Sequence, residues 1–295
     1  SAVTGMGKDL FENYKAARRV FELGSDTLGL NIAKLCFEAS NEELALTKNT
    51  QPAIFTMSLA SCAVLAEHGM HPDAVAGFSL GEISALTAAG AVSLEDGFKI
   101  IKARGDCMQK AAEASGGAMV AILGLTADEI STICESVDGY VLPVNYNAPG
   151  QTVIAGTEDA AAEAAQKCLD QGAKRAVRLA VNAAFHSELM RDASEEFSSQ
   201  IMGIAFQAPE IPVYSNTTGL PIEDFSAMPA YLARQMTSPV RWVDTVQNLY
   251  QSGVTQAIEH GPGKVLSGLV RRIEKNIACS NCDNNQNLEA ILQKI

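Results

Sequence analysis

The sequence predicts an α/β fold: a larger α/β part with a smaller βαββαβ unit set into it. Three observations lead there. Short apolar runs alternate with helix-period runs along most of the chain. The stretch from Gly117 to Val181 changes rhythm and reads β, α, β, β, α, β in order. And "GFSLGE", Gly77 to Glu82, turns a short apolar run into a helix within one turn, with Ser79 at the break.

From the N-terminal side, "DLFENYKAARRVFELG" has a helical period and ends on Gly24, and "IAKLCFEA" is a second helix. "NTQPAIFTMSLASCAVLAEHG" opens on Asn49 or Thr50 as N-cap, carries Pro52 near its first turn and stops at Gly69. "DAVAGF" is a short strand, and a helix starts at Leu80. "SLEDGFKIIKARGDCMQKAAEAS" is another long helix. In the inserted unit "AMVAILGL", "YVLPVNYN", "QTVIAGT" and "KRAVRLAV" are strands. "ADEISTICESV" and "EDAAAEAAQKCLDQGA" are its helices, which makes the ferredoxin-like split. The expected division is 1–115 with 183–295 for the large part and 116–182 for the insert. The large part resumes with "HSELMRDASEEFSSQI" (helix), "IPVYSN" (strand), "MPAYLARQM" and "PVRWVDTVQNLYQSG" (helices), "TQAIEHG" (strand) and "KVLSGLVRRIEKN" (helix).

Bulk numbers bound the function. The 295 residues are 47% apolar and 19% charged, which fits a globular enzyme with a substantial core. No apolar run approaches the roughly 20 residues of a membrane span, and no basic n-region precedes an apolar h-region. A net charge of −12 argues against nucleic acid as a partner. The seven cysteines, Cys36, Cys62, Cys107, Cys134, Cys168, Cys279 and Cys282, are odd in number and scattered. They make no disulfide framework and fit a reducing cytoplasm. Cys279 and Cys282 form a lone C-x-x-C with no second ligand pair nearby, so they read as surface thiols and not as a metal site.

Gly77-Phe78-Ser79-Leu80-Gly81 fits G-x-S-x-G in the strand-to-helix context of a nucleophile elbow. A sharp turn there presents the Ser79 hydroxyl at the strand's carboxyl end. Small residues on either side let strand and helix pass closely, and the following N–H groups favour a developing oxyanion. A tight turn with two glycines is the plainer reading. A nucleophilic serine needs a base. His68 and His71 precede the strand and read as loop histidines. His186 and His260 each follow a strand's carboxyl end, where open α/β sheets place their sites, and the residues alone do not choose between them. On the helix from Leu94, the residues Leu94, Phe98, Ile101, Gly105 and Met108 form an apolar stripe with Arg104 beside it. An arginine among apolar neighbours wants an anion. Either a substrate carboxylate or an internal ion pair would serve.

"GFSLGEISALTAAG", "NYNAPGQTVIAG", "AFHS" and "EHGPGKVLSGL", in this order and spacing, resemble the malonyl-CoA:acyl carrier protein transacylases. The resemblance extends to "TGMGKDLFE" and "QPAIFTMSLA" and so covers essentially the whole chain. It implies a large α/β-hydrolase-like domain with a mainly parallel sheet and an inserted ferredoxin-like domain. It implies Ser79 as nucleophile, His186 as general base and Arg104 as the clamp on the malonyl carboxylate. The Gln235 backbone carbonyl would orient the histidine, and the Leu80 N–H would serve the oxyanion hole. Gln51, Phe78, Asn147, Gln151 and Phe185 would line the cleft. His260 falls where the family varies. Phe78 stands where a histidine is common, and Phe185 resembles the malonyl-selective form. The family's opening strand and F-P-G-Q-G-S loop carry a second oxyanion donor. Ser1 to Gly5 is in register with the end of that loop, so the expectation is a trimmed N-terminus.

The implied reaction moves malonyl from malonyl-CoA to the phosphopantetheine thiol of acyl carrier protein through a malonyl-serine. It needs no tightly bound cofactor and no metal, and the family pattern implies a cytoplasmic monomer. Lys264, Arg271, Arg272 and Lys275 are expected to form either part of a docking patch for the acidic carrier or a solvated helix face. A discrete acyltransferase of a polyketide pathway and a serine thioester hydrolase are the alternative readings.

Overall fold

A computed structural model describes residues 1–294. Its eight strands are β1 (Val75–Ala76), β2 (Ala118–Leu123), β3 (Val141–Ala148), β4 (Gln151–Gly156), β5 (Arg175–Arg178), β6 (Val213–Tyr214), β7 (Gln256–His260) and β8 (Ala278–Cys282). Mixed α/β architecture is what the alternating periods predict. The parallel strands of the larger part form two separate pairs, β1 with β6 and β7 with β8, where a continuous sheet was expected.

The larger part is built on long helices. Phe55 of helix Thr47–Glu67 meets Phe98 of helix Leu94–Ser115 edge-on at 5.0 Å, and both rings are fully buried. Full burial of one such side chain is worth roughly 1.5–3 kcal/mol. Ser93 caps the second of these helices by accepting from the Asp96 N–H.

Several element boundaries differ from expectation. The first helix is two, Lys8–Asn13 and Lys15–Leu28, with Tyr14 extended between them. In one straight helix Phe11 and Phe21 would be separated by about 15 Å of rise. The break instead folds their rings together at 5.5 Å. Gly24 does not end the helix. A Cβ there would lie 2.4 Å from Phe98 Cζ, so the glycine admits a neighbouring ring. Gly29, at φ 63°, is the terminator. The helix through Pro52 starts at Thr47, ahead of Asn49. The carbonyl that Pro52 cannot satisfy belongs to Lys48, which is exposed to water. Strand β8 and helix Asn285–Leu292 were not anticipated, because "ACSNC" carries neither apolar alternation nor a turn signal at its start. Cys282 is fully buried on β8 and Cys279 half-buried, which corrects the surface-thiol reading.

Strands β2 to β5 make a four-stranded antiparallel sheet in the order β3-β4-β2-β5. Side chains alternate between its faces. Val120, Ile122 and Ile154 pack with Ile130, Ile133, Ala160, Ala161 and Ala164 of helices Ala127–Glu135 and Glu158–Asp170. Met119, Val144, Val153 and Ala155 face the other way, onto Ala184 and Phe185. This second face holds the loop that carries His186. The sheet is also stitched to the larger part at Val240. Its N–H donates to Val144 O at 2.7 Å, and its carbonyl accepts from the Tyr146 N–H at 3.0 Å.

Candidate active site

Ser79 stands in a turn the chain can make only with help. Its φ is 54°, a region that costs a non-glycine residue about 1–3 kcal/mol. Asn216, at the carboxyl end of β6, clamps the turn from both sides. Its Oδ1 accepts from the Ser79 N–H at 2.7 Å, and its Nδ2 donates to Gly77 O at 2.5 Å. Gly77 is obligatory, since a Cβ would lie 1.8 Å from the Gly81 carbonyl oxygen. Gly81 is different: a Cβ there meets nothing within 4 Å. Only one of the two glycines lets strand and helix pass. Leu80 precedes helix Gly81–Ala88, and its amide lies among the N–H groups a helix start leaves without internal partners.

His186 reaches Ser79 from the loop after β5. It too has positive φ, 61°, and it is buried. Its Nε2 lies 2.8 Å from Ser79 Oγ. Its Nδ1 faces two carbonyls, Gln235 O at 3.0 Å and Ser238 O at 3.1 Å. Carbonyls only accept, so Nδ1 carries the proton and Nε2 is the lone-pair nitrogen turned to the serine. Burial first, and then the Arg104 cation, push the imidazole down to about 4, against the pull of both carbonyls. It is therefore neutral and able to take a proton near pH 7.

Arg104 is buried at 1% exposure. Its Nη1 donates to Gln51 Oε1 at 3.0 Å. Its Nη2 donates to Gln235 Oε1 at 3.0 Å and to Ser79 Oγ at 3.2 Å. Its Nε is buried with no hydrogen-bond partner. Among the described residues it forms no salt bridge, so the internal ion pair weighed from the sequence is absent. Burial pulls it down to about 10, which leaves it a cation at neutral pH. A buried cation with an unsatisfied donor edge beside a serine hydroxyl can accept an anionic acyl group.

Ser79, His186, Arg104, Gln51, Gln235 and Leu80 thus converge. Phe78 packs on Trp242 at 5.6 Å, and Phe185 joins the sheet's second face to the helical core. Asn147 and Gln151 lie on the small sheet. Asn147 Oδ1 is buried without a partner, while Gln151 accepts from Arg272. Lys264, Arg271, Arg272 and Lys275 are exposed. Among the described residues no group of three or more His, Cys, Asp and Glu converges as a metal site. No helix of the described residues is long and apolar enough to cross a membrane. Sequence reading missed Asn216, the Ser238 carbonyl and the buried Glu82, whose carboxylate accepts from Gln235 Nε2 at 3.1 Å. An asparagine ending the strand "IPVYSN" and a carboxylate heading an otherwise apolar helix were the available signals.

A serine in an elbow, a carbonyl-oriented histidine and a buried arginine on a mixed α/β scaffold define a serine acyl-transfer type of protein. The chain belongs to the acyl transferase domain family, whose profile matches residues 1–282. It is 39% identical to the malonyl CoA-acyl carrier protein transacylase of Bacillus subtilis, over 100% of this chain and 94% of that one. It is 38% identical to the Staphylococcus aureus protein of the same name, over 92% of this chain and 89% of that one. Among solved structures, it superimposes at TM-score 0.95 on an acyl-carrier-protein S-malonyltransferase from Burkholderia pseudomallei. That pair is 39% identical, with 99% and 96% of the two chains covered. The same TM-score, at 36% identity and 99% and 96% coverage, relates it to a malonyl-transacylase solved in complex with its type II PKS acyl-carrier protein.

Proposed function

We propose that this acyltransferase moves a malonyl group from malonyl-CoA to the phosphopantetheine thiol of an acyl carrier protein. His186 Nε2 takes the Ser79 proton as Oγ attacks the thioester carbonyl. The Leu80 N–H stabilises the oxyanion. Coenzyme A leaves with that proton, and a malonyl-serine ester remains. The carrier's thiol then attacks the ester, His186 taking and returning the proton, and Ser79 is regenerated. The observation that carries the malonyl reading is the Arg104 Nε: buried, cationic and unpaired, on the guanidinium whose Nη2 touches Ser79 Oγ. An acetyl group would leave that donor unpaired, and a carboxylate on the acyl chain satisfies it.

The finer assignments belong to the same reading. Gln51 and Gln235 hold Arg104. Phe78, Phe185, Asn147 and Gln151 line the approach. Residues 116–182 form a ferredoxin-like insert in an α/β-hydrolase-like domain, a reading supported by the β3-β4-β2-β5 order. We read the protein as a cytoplasmic monomer that needs no resident cofactor.

Intact mass after mixing with malonyl-CoA tests the function. The expected result is a malonyl adduct on the parent protein, none on Ser79→Ala, and discharge of the adduct onto carrier protein. Release of free malonate at the same rate without carrier would make the protein a thioester hydrolase instead.

A further inference from the structure

The side chain of Glu82 is fully buried three residues past Ser79, and no step above uses it. One carboxyl oxygen accepts from the Tyr231 hydroxyl. The other accepts from Gln235 Nε2 at 3.1 Å and from the Asn216 N–H at 3.4 Å. An ionised carboxylate only accepts. Gln235 must therefore turn its amide nitrogen towards Glu82, where the same nitrogen also reaches Ser79 O at 2.9 Å. That leaves Gln235 Oε1 facing Arg104 Nη2 at 3.0 Å. The carboxylate and the guanidinium are joined through one amide, whose nitrogen is held by Glu82 and the Ser79 carbonyl and whose oxygen is held by Arg104. Asn216, held on the same carboxylate through its N–H, is also the residue that clamps the Ser79 turn.

Resting on the malonyl-transfer reading, we propose that Glu82 is a positioning residue for acyl selection. It anchors the Gln235 amide nitrogen and thereby holds Arg104 with Nη2 on Ser79 Oγ and the Nε edge open to the acyl carboxylate. The charged and titratable groups facing Glu82 are Arg104, from helix Leu94–Ser115, and Tyr231, from helix Met228–Thr237. Burial pushes the Glu82 carboxyl up to about 7, while Tyr231, Gln235, Asn216 and Arg104 pull it back down. A protonated carboxyl has lost the charge that strengthens these hydrogen bonds, so it anchors the Gln235 amide less firmly. Preference for malonyl over acetyl therefore rises as pH rises through that range.

The test compares malonyl-CoA and acetyl-CoA as acyl donors to full-length Glu82→Gln, reading kcat/KM for serine acylation. Loss of a hydrogen-bonded charge is expected to lower malonyl transfer about ten- to hundredfold, with acetyl transfer changed by less than about threefold. An equal fall for both donors would mean Glu82 only supports the fold and would overturn the proposal. Tyr231→Phe provides the second arm and keeps the carboxylate. Without the Tyr231 hydrogen bond the carboxyl ionises at higher pH, so the malonyl preference should be lower than the parent's at pH 7 and recover at higher pH. A pH dependence identical to the parent's overturns the proposal even if Glu82→Gln does not fold. Failure of the parent itself to take up malonyl would instead bring down the malonyl-transfer reading, and this inference with it.

Discussion

His186 and His260 each lie 2.8 Å from a serine hydroxyl, and desolvation holds both imidazoles down at about 4. They differ in where the protons go. Ser61 sits inside helix Thr47–Glu67 and donates its only proton to Ser58 O at 2.9 Å. The nitrogen facing it, His260 Nδ1, must then be the donor, so Ser61 has no base. Ser79 receives a hydrogen bond from Arg104 and donates to His186, whose other nitrogen is pinned by two carbonyls. Ser79 also sits in a positive-φ turn at a helix start, while Ser61 is mid-helix. Proximity of serine and histidine is thus shared by both pairs. Only at Ser79 do the acceptors and the cation make the histidine a proton acceptor.

The largest expected effect breaks the comparison outright. Ser79→Ala and His186→Ala should each lower the burst of coenzyme A release from malonyl-CoA by about 10⁴-fold or more. Ser61→Ala and His260→Gln should leave it within about threefold; a large loss at Ser61 would assign the chemistry to the wrong pair. Next comes the cation that the His260 pair lacks. Arg104→Ala should reduce malonyl acylation by roughly 10²–10³-fold, the scale of removing one partner of a buried charged contact. Acetyl acylation should fall much less, and an unchanged donor ratio would remove Arg104 from selection.

Acidity separates the pairs more finely. Acetyl-CoA reports the base without the carboxylate grip. Because His186 stays neutral down to about 4, kcat/KM with this donor should keep most of its value at pH 5.5, where an ordinary imidazole would be largely protonated. Stability follows the same sign. Both histidines are depressed below 6.5, so their contribution is present above 6.5 and is lost as pH falls through about 4. Glu82 runs the other way: its contribution is present below 4.5 and lost as pH rises through about 7. His260→Gln should flatten the acid side of a Tm–pH curve and leave the acid limb of kcat/KM in place.

The turn sets a large effect beside the smallest one. Gly77→Ala drives a Cβ into the Gly81 carbonyl and should abolish acylation. Gly81→Ala meets open space and should stabilise the protein by about 0.4–1 kcal/mol, readable as a rise in urea midpoint. Equal losses at both glycines would show that the elbow needs each of them.

Much of this was legible before the structure. The elbow is a local pattern, and the place of Arg104 beside an apolar stripe follows from helical period, because both signals fit within one or two turns of chain; its choice between a substrate carboxylate and an internal ion pair did not follow from the residues alone. The histidine was not legible from residues alone; both candidates follow strands, and only the family motifs separated them. Asn216 and Ser238 stayed hidden because they act across 137 and 52 residues of sequence. The break at Tyr14 was hidden too, since only the distant rings of Phe21 and Phe37 explain it.

The stitch at Val240 has a mechanical meaning. Only Pro239 separates one of the two carbonyls that hold His186 from the Val240 groups that bind β3, so Ser238 to Val240 is a short, stiff coupling rod. Tilting the four-stranded sheet would move the imidazole's anchor with little slack to absorb it. The same three residues therefore set both the place of the sheet's β3 edge and one of the two anchors of the base.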